Sequence, residues 1–343
     1  MSISSLCVIL KNKAKRRADM INEYPNPFIT ERADPYIVKG DGCYYFTASY
    51  PAFYDADHGY DRIILRKSDT VAGLASAEEK IIWRAHENGI MAKHIWAPEL
   101  HKIGGKWYVF FAAGNRDDVW HIRPYLLKCD GDDPYNDSWT EMGKMQASDG
   151  DEESFTSFSL DMTYFGHKGK HYLIWAESRP DSSLFLAEIS PENPQKLLTK
   201  PILLTKPEYD WEKVRFRVNE GASVLRSEDK LIVFFSASGT GSEYCMGMVF
   251  MDADGDPMTK ESWTKGTSPV LSTEDLKGES GPGHNSFVRD EKGNLLLVYH
   301  ARPQEHLDKQ CGTFCDESLY DPCRHARIRF VTFDENNIPI IER

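Results

Sequence analysis

No run of this chain approaches the roughly 18 consecutive apolar residues that cross a bilayer as a helix. Its apolar residues are dispersed: 41% of 343 residues are hydrophobic and 27% are charged, the profile of a folded globular chain. Positive charge is in deficit. Lys and Arg total 41 against 53 Asp and Glu, a net charge of −12, and such a field repels a phosphate backbone. Phosphate-cradling glycine loops, dinucleotide fingerprints and the His-Glu-x-x-His pattern are absent from the sequence, which excludes the usual nucleotide and metalloprotease signatures. Cysteine is scarce, and its odd count of 7 fits thiols in a reducing compartment better than a disulfide framework. The opening MSISSLCVILKNKAKRRADM places its basic cluster after a short apolar stretch, the reverse of a secretion leader. Together these readings predict a cytoplasmic protein. Helical periodicity is also rare; a short helix over 16–23 is the exception.

What the chain has in abundance is aromatic residues, 12% of the total, which favour strands and suit a surface that stacks on sugar rings. It also has a fivefold echo. Asp34 to Ser49, Glu99 to Ala113, Asp161 to Glu177, Glu220 to Ser238 and His284 to Arg302 share one layout. Each is a polar residue, a strand-like run, a turn and a denser, more aromatic run. The starts lie roughly 60 to 65 residues apart, a repeat architecture. Asp41-Gly42, Gly104-Gly105, Lys168-Gly169, Glu228-Asp229 and Gly293-Asn294 supply the turns. After each hairpin the sequence has room for two more strands, with examples at Arg62 to Lys67, Tyr125 to Cys129, Leu184 to Ile189, Met246 to Met251 and Arg327 to Phe333. Four strands per unit and five units predict an all-β fold, a five-bladed β-propeller over 26–343 after an N-terminal extension over 1–25. A pair of β-sandwiches is the alternative.

The innermost strand of each propeller blade lines a central channel. The leading positions Asp34, Glu99, Asp161, Glu220 and His284-Asn285 therefore converge on one axial region. Carboxylates gathered in a partly dry cavity raise one another's pKa values, an arrangement common at functional sites. The competing reading is that each caps a strand or pairs with an arginine. A protonated and an ionised carboxyl side by side suit glycoside hydrolysis, and a third carboxylate can keep the acid protonated. Trp96 is placed to stack on a sugar face or to be ordinary core.

The strings RADPYIV, HIWAPELH, SLDMTYF, VNEGASV and GPGHNSF together resemble the signature segments of glycoside hydrolase family 43, from about Asn26 to the C-terminus. The resemblance implies a five-bladed propeller that cleaves arabinose- or xylose-containing glycans with inversion. It implies Asp34 as general base, Glu220 as general acid and Asp161 as the carboxylate that tunes and orients the acid. Trp96 resembles the tryptophan beneath the sugar. His284 resembles a channel histidine that sits beside a calcium ion or its water shell, and no organic cofactor is implied. Arg302, with Glu99, is expected near the sugar hydroxyls. Where members often carry Asn-Glu-Gly-Pro, this chain has Ala222 after Gly221.

The stretches YDPCRHAR (320–327) and TVAGLASAEE (70–79) resemble exo-acting α-L-arabinofuranosidases on α-1,5-arabino-oligosaccharides. A β-xylosidase, an endo-arabinanase with the same trio, and a non-catalytic sugar-binding propeller are the alternatives. An arabinose-containing oligosaccharide is the expected partner, with no nucleic acid and no membrane. Cys311, Cys315, Cys323 and His325 match no standard zinc knuckle and are read as loop residues. DADGD (252–256) lacks the closing Glu of a calcium loop and is read as a surface turn. His94 and His101 are read as structural or substrate-contacting. The loops 148–154 and 51–60 are the candidates for the channel rim.

Overall fold

The computed structural model describes residues 24–311, 315 and 317–343; the helix expected over 16–23 lies outside them. The described residues form five antiparallel sheets, one per repeat. Blade 1 comprises Ala33–Gly40, Cys43–Ser49, Arg62–Ser68 and Glu79–Arg84. Blade 2 comprises Lys93–Ile103, Lys106–Gly114, Arg123–Cys129 and Trp139–Lys144. In blade 3, Ser159–His167, Lys170–Ser178 and Ser182–Ser190 are followed by Asn193–Leu197 and Ile202–Thr205, both paired with the third strand. Blade 4 comprises Asn219–Arg226, Lys230–Ala237, Cys245–Asp252 and the short Thr264–Lys265. Blade 5 comprises Glu279–Arg289, Leu295–Pro303, His325–Phe333 and Pro339–Ile341. The protein is a five-bladed β-propeller.

The first three inner hairpins turn on two residues with both φ angles positive: Asp41-Gly42, Gly104-Gly105 and Lys168-Gly169. This is the geometry that matches the right-handed twist of paired strands. The second strands are buried on both faces, because each blade packs its two faces on two neighbours. Five apolar clusters result. Tyr45, Ile63, Trp107 and Val109 join blades 1 and 2, and Phe110, Met162, Leu173 and Trp175 join blades 2 and 3. Ile174, Leu186, Val233 and Phe235 join blades 3 and 4, and Ile232, Phe234, Leu297 and Tyr299 join blades 4 and 5. Each such side chain contributes about 1.5–3 kcal/mol when fully buried. The fifth cluster closes the ring, with Phe28, Ile37, Phe46, Val298 and Ala326 between blades 5 and 1. Phe28 and Ile29 also bond to Ala326 of the third strand in blade 5, so the start of the described chain latches onto its last blade.

Every innermost strand is broken by a β-bulge. The register slips between Ala33 and Tyr36, Trp96 and Glu99, Glu220 and Ser223, and Gly283 and Ser286. In blade 3 it slips between Leu160 and Thr163, which oppose Ala176 and Ile174 of the partner strand. At each bulge one residue has positive φ: Asp34, Ala97, Asp161, Gly221 and His284. These lie roughly 60 to 64 residues apart and form one level of the channel. A bulge re-aims a side chain and frees a backbone N–H from the ladder. Four of those N–H groups find side-chain acceptors. Asp34 donates to His300 Nδ1 at 3.1 Å and Ala97 to Ser49 Oγ at 2.8 Å. Gly221 donates to Asp161 Oδ2 at 3.0 Å and His284 to Ser236 Oγ at 2.7 Å.

Candidate active site

The bulge level floors a cavity of about 450 Å³. Asp34, Asp161, Glu220 and His284 enter it from blades 1, 3, 4 and 5, and Trp96 from blade 2. His284 stands between the carboxylates, with Nδ1 3.3 Å from Asp34 Oδ1 and 3.7 Å from Asp161 Oδ2. Burial alone would discharge this imidazole, but the charges of Asp161 and Asp34 outweigh it and hold the His284 pKa above its ordinary value.

The three carboxyls are driven apart. Burial would raise Asp34, yet His284 and Arg324, 3.8 Å away, and the 2.5 Å hydrogen bond from Ser49 Oγ bring it down to about 2. Asp161 goes up, chiefly through burial, with the Asp34 charge adding to the rise. Burial, and then the Asp161 charge, push Glu220 up to about 8, against the pull of the Tyr244 hydroxyl on Oε1. Burial and charge thus favour an ionised Asp34 and a protonated Glu220 within one cavity. Two titratable groups with opposed environments are how one site carries both base and acid.

Trp96 presents one face to the cavity. His94 stacks on its indole at 4.3 Å between centroids, and Tyr60 meets it edge-on at 5.7 Å. His94 is itself held by the Val119 carbonyl and the Tyr320 hydroxyl, and burial lowers its pKa to about 4, so it is a neutral support.

Two expected sugar contacts stand elsewhere. Arg302 is fully buried and does not line the cavity. It clamps Asp321 at 2.8 Å and donates to the carbonyls of Thr240 and Ser318. Arg324 is the arginine that reaches the cavity. Glu99 lies two residues below Ala97, the residue at the bulge level of blade 2, and is bonded to His101 Nε2 at 2.7 Å. It sits beneath the cavity floor, where its charge adds to the rise of the His284 and Asp161 pKa values.

The rim also differs from expectation. Loops 51–60 and 148–154 do not line the cavity; Trp120, Phe216, Gly239-Thr240 and the segment 317–324 do. Loop 51–60 acts from behind, through Tyr54 N–H donating to the Tyr320 carbonyl at 3.1 Å. Tyr244, Trp120 and Phe216 were not singled out in the sequence. Tyr320 and Arg324 stand in the YDPCRHAR string but carried no assigned role. DADGD closes the strand Cys245–Asp252 as a surface turn, as expected.

Residues 24–339 match the Glycosyl hydrolases family 43. The chain belongs to that family. This hydrolase is 44% identical over 290 residues to "Extracellular exo-alpha-(1->5)-L-arabinofuranosidase" of Streptomyces chartreusis, covering 83% of this chain and 84% of that one. It is 41% identical over 322 residues to a relative of the same description from Streptomyces avermitilis, covering 92% of this chain but only 62% of that one. The crystal structure of an alpha-L-arabinofuranosidase from Lactobacillus brevis superposes with a TM-score of 0.82 at 39% identity, over 93% of this chain and 96% of that one. The hydrolase is thus a glycosidase acting on carbohydrate. The extracellular naming of both Streptomyces relatives overturns the cytoplasmic expectation and points to a secreted protein. The cysteine count misled because five inter-blade clusters give this chain an ample core, so it does not depend on disulfides, and the six described cysteines are unbridged.

Proposed function

We propose that this hydrolase is an exo-acting α-L-arabinofuranosidase that releases arabinofuranose from α-(1→5)-linked arabino-oligosaccharides or arabinan with inversion. The observation that carries the reading is its 44% identity, over most of both chains, to the Streptomyces chartreusis exo-enzyme. The separation of carboxyl protonation states in the cavity supports the chemistry.

In this mechanism Asp34, ionised, takes a proton from water on one side of the sugar. Glu220, protonated, donates to the glycosidic oxygen on the other. The transition state is oxocarbenium-like. Asp161 holds the proton on Glu220 by charge and fixes the acid's backbone through the Gly221 N–H. His284 as an imidazolium keeps Asp34 ionised while offsetting the charge of two neighbouring carboxylates. Trp96 and the apolar rim exclude water and stack on the ring.

A calcium ion beside His284 remains part of the proposal. Asn285 Oδ1, next in the chain, is buried with no hydrogen-bond partner among the described residues and would offer the hard oxygen such an ion takes. When bound it would add positive charge under the carboxylates. The net charge of −12 argues against a nucleic-acid partner, and among the described residues no helix is long and apolar enough to cross a membrane.

Initial rates on an aryl α-L-arabinofuranoside and an aryl β-D-xylopyranoside, with Asp34→Ala as blank, test the reading. A strong, Asp34-dependent preference for the arabinofuranoside, with arabinose as sole early product from linear oligosaccharides, is expected. Preference for the xyloside would move the enzyme to the xylosidase branch. Early oligosaccharide products would make it an endo-arabinanase.

A further inference from the structure

The segment between the second and third strands of blade 5 carries Leu319, Tyr320 and Arg324 into the cavity. At its base His306, Cys311 and Cys323 converge, with one ligand atom from each lying within 4.8 Å of the other two. In the sequence these cysteines are weighed with His325 and Cys315 and read as loop residues. The His325 side chain accepts from the Glu31 N–H at 2.9 Å, and His306, from the helical turn Gln304–Leu307, takes its place.

From this geometry we infer that His306, Cys311 and Cys323 form a site for a borderline-soft divalent cation of the zinc class. Cys311 Sγ lies 3.3 Å from Cys323 Sγ and 3.5 Å from His306 Nδ1. In a tetrahedral zinc site with Zn–S of about 2.3 Å and Zn–N of about 2.0–2.1 Å, the corresponding edges are about 3.5–3.8 Å. Two thiols and an imidazole select such a metal over calcium or magnesium. Asp321 Oδ2 stands 3.1 Å from the same His306 Nδ1, on the ligand side of the ring, and its Oδ1 accepts from the Cys323 N–H, so this carboxylate borders the cluster and orients the Cys323 ligand. The same Asp321 is gripped by Arg302. The site therefore ties the segment that walls the cavity to the body of blade 5. His306 and Cys323 are buried, while Cys311 is half-exposed and gives the ion its entry. Binding replaces the thiol protons, so it releases protons and strengthens as pH rises.

The test uses the full chain, purified under a phosphine reductant, loaded with Zn²⁺, freed of excess by gel filtration and assayed for metal. One zinc per chain is expected, with Co²⁺ loading giving thiolate-to-metal charge-transfer absorption. Cys311→Ser and Cys323→Ser should each lose most of the bound metal. Cys315→Ser should keep it, since Cys315 Sγ lies near the Tyr54 carbonyl, outside the cluster. Zinc should raise the melting temperature of the full chain but not of Cys311→Ser. Metal retention by the full chain no greater than by Cys311→Ser would overturn the inference. So would a Cys311–Cys323 disulfide peptide from protein isolated without reductant, which would make the pair a covalent staple.

Discussion

Tyr244 donates its phenolic hydrogen to Glu220 Oε1 at 2.8 Å, while the Asp161 carboxylate bears on the same group from the neighbouring blade. The two act in opposite directions: the hydroxyl favours the ionised acid, and Asp161 favours the protonated one. Tyr244→Phe should therefore push the Glu220 pKa further up. The alkaline limb of kcat/KM, set by loss of the Glu220 proton, should move to higher pH, and the acid limb should stay in place. A pH–rate profile of the variant checks this; an alkaline limb moving downward would refute the assignment of Glu220 as the acid.

Arg324 and Arg302 are a few residues from the same pocket and should fail differently. Arg324 depresses the Asp34 pKa by its charge. Arg324→Gln should raise it, so the acid limb of the profile should rise while the enzyme stays folded. Arg302 holds Asp321 in a buried pair. Arg302→Met removes the cation from that buried carboxylate, a loss of about 3–5 kcal/mol, and should appear as a lowered melting temperature with the acid limb unshifted in whatever remains folded.

Replacing the acid itself separates leaving groups. Glu220→Gln should lower kcat/KM on an arabino-oligosaccharide by about 10²–10⁴-fold, the usual contribution of general acid catalysis. An aryl arabinofuranoside with an acidic phenol needs little protonation and should lose far less. Parallel rates on the two substrates decide it, and equal losses would sink the role.

The hairpins were legible because their signals are local. Alternation, a dense second run and residues tolerant of positive φ, such as Asp41-Gly42, recur at one spacing. The carboxylates were legible for the same reason: Asp34, Asp161 and Glu220 stand at the head of such runs, and all three reach the cavity. Glu99 also heads a run, yet it lies below the cavity. The bulge in blade 2 sits at Ala97, and a register slip leaves no mark in the alternation of residue types. Arg302 against Arg324 was not decidable either. Arg302 follows apolar strand residues and Arg324 stands just ahead of a strand, and which one reaches the cavity depends on how the segment 317–324 lies against the channel mouth. The rim was missed on the same ground, since Trp120, Phe216 and Tyr320 come from three loops that only the closed ring brings together.

Gly221 joins backbone to chemistry. Its φ is +56° and its N–H holds Asp161, while a Cβ there would lie 3.1 Å from Cγ and Nδ1 of His284. Gly221→Ala thus adds about 1–2 kcal/mol of left-handed strain and also crowds the imidazole that keeps Asp34 ionised. Gly42→Ala separates the two effects, because Gly42 has φ +83° with open space around the would-be Cβ, in a hairpin turn of blade 1. Both variants should melt a few degrees lower, as expected for that strain in a large domain. Only Gly221→Ala should also lift the acid limb of the pH–rate profile and lower kcat beyond what its lost stability explains. If the two variants matched in kinetics, the His284 contact would be structural and the low pKa of Asp34 would rest on Arg324, His300 and Ser49.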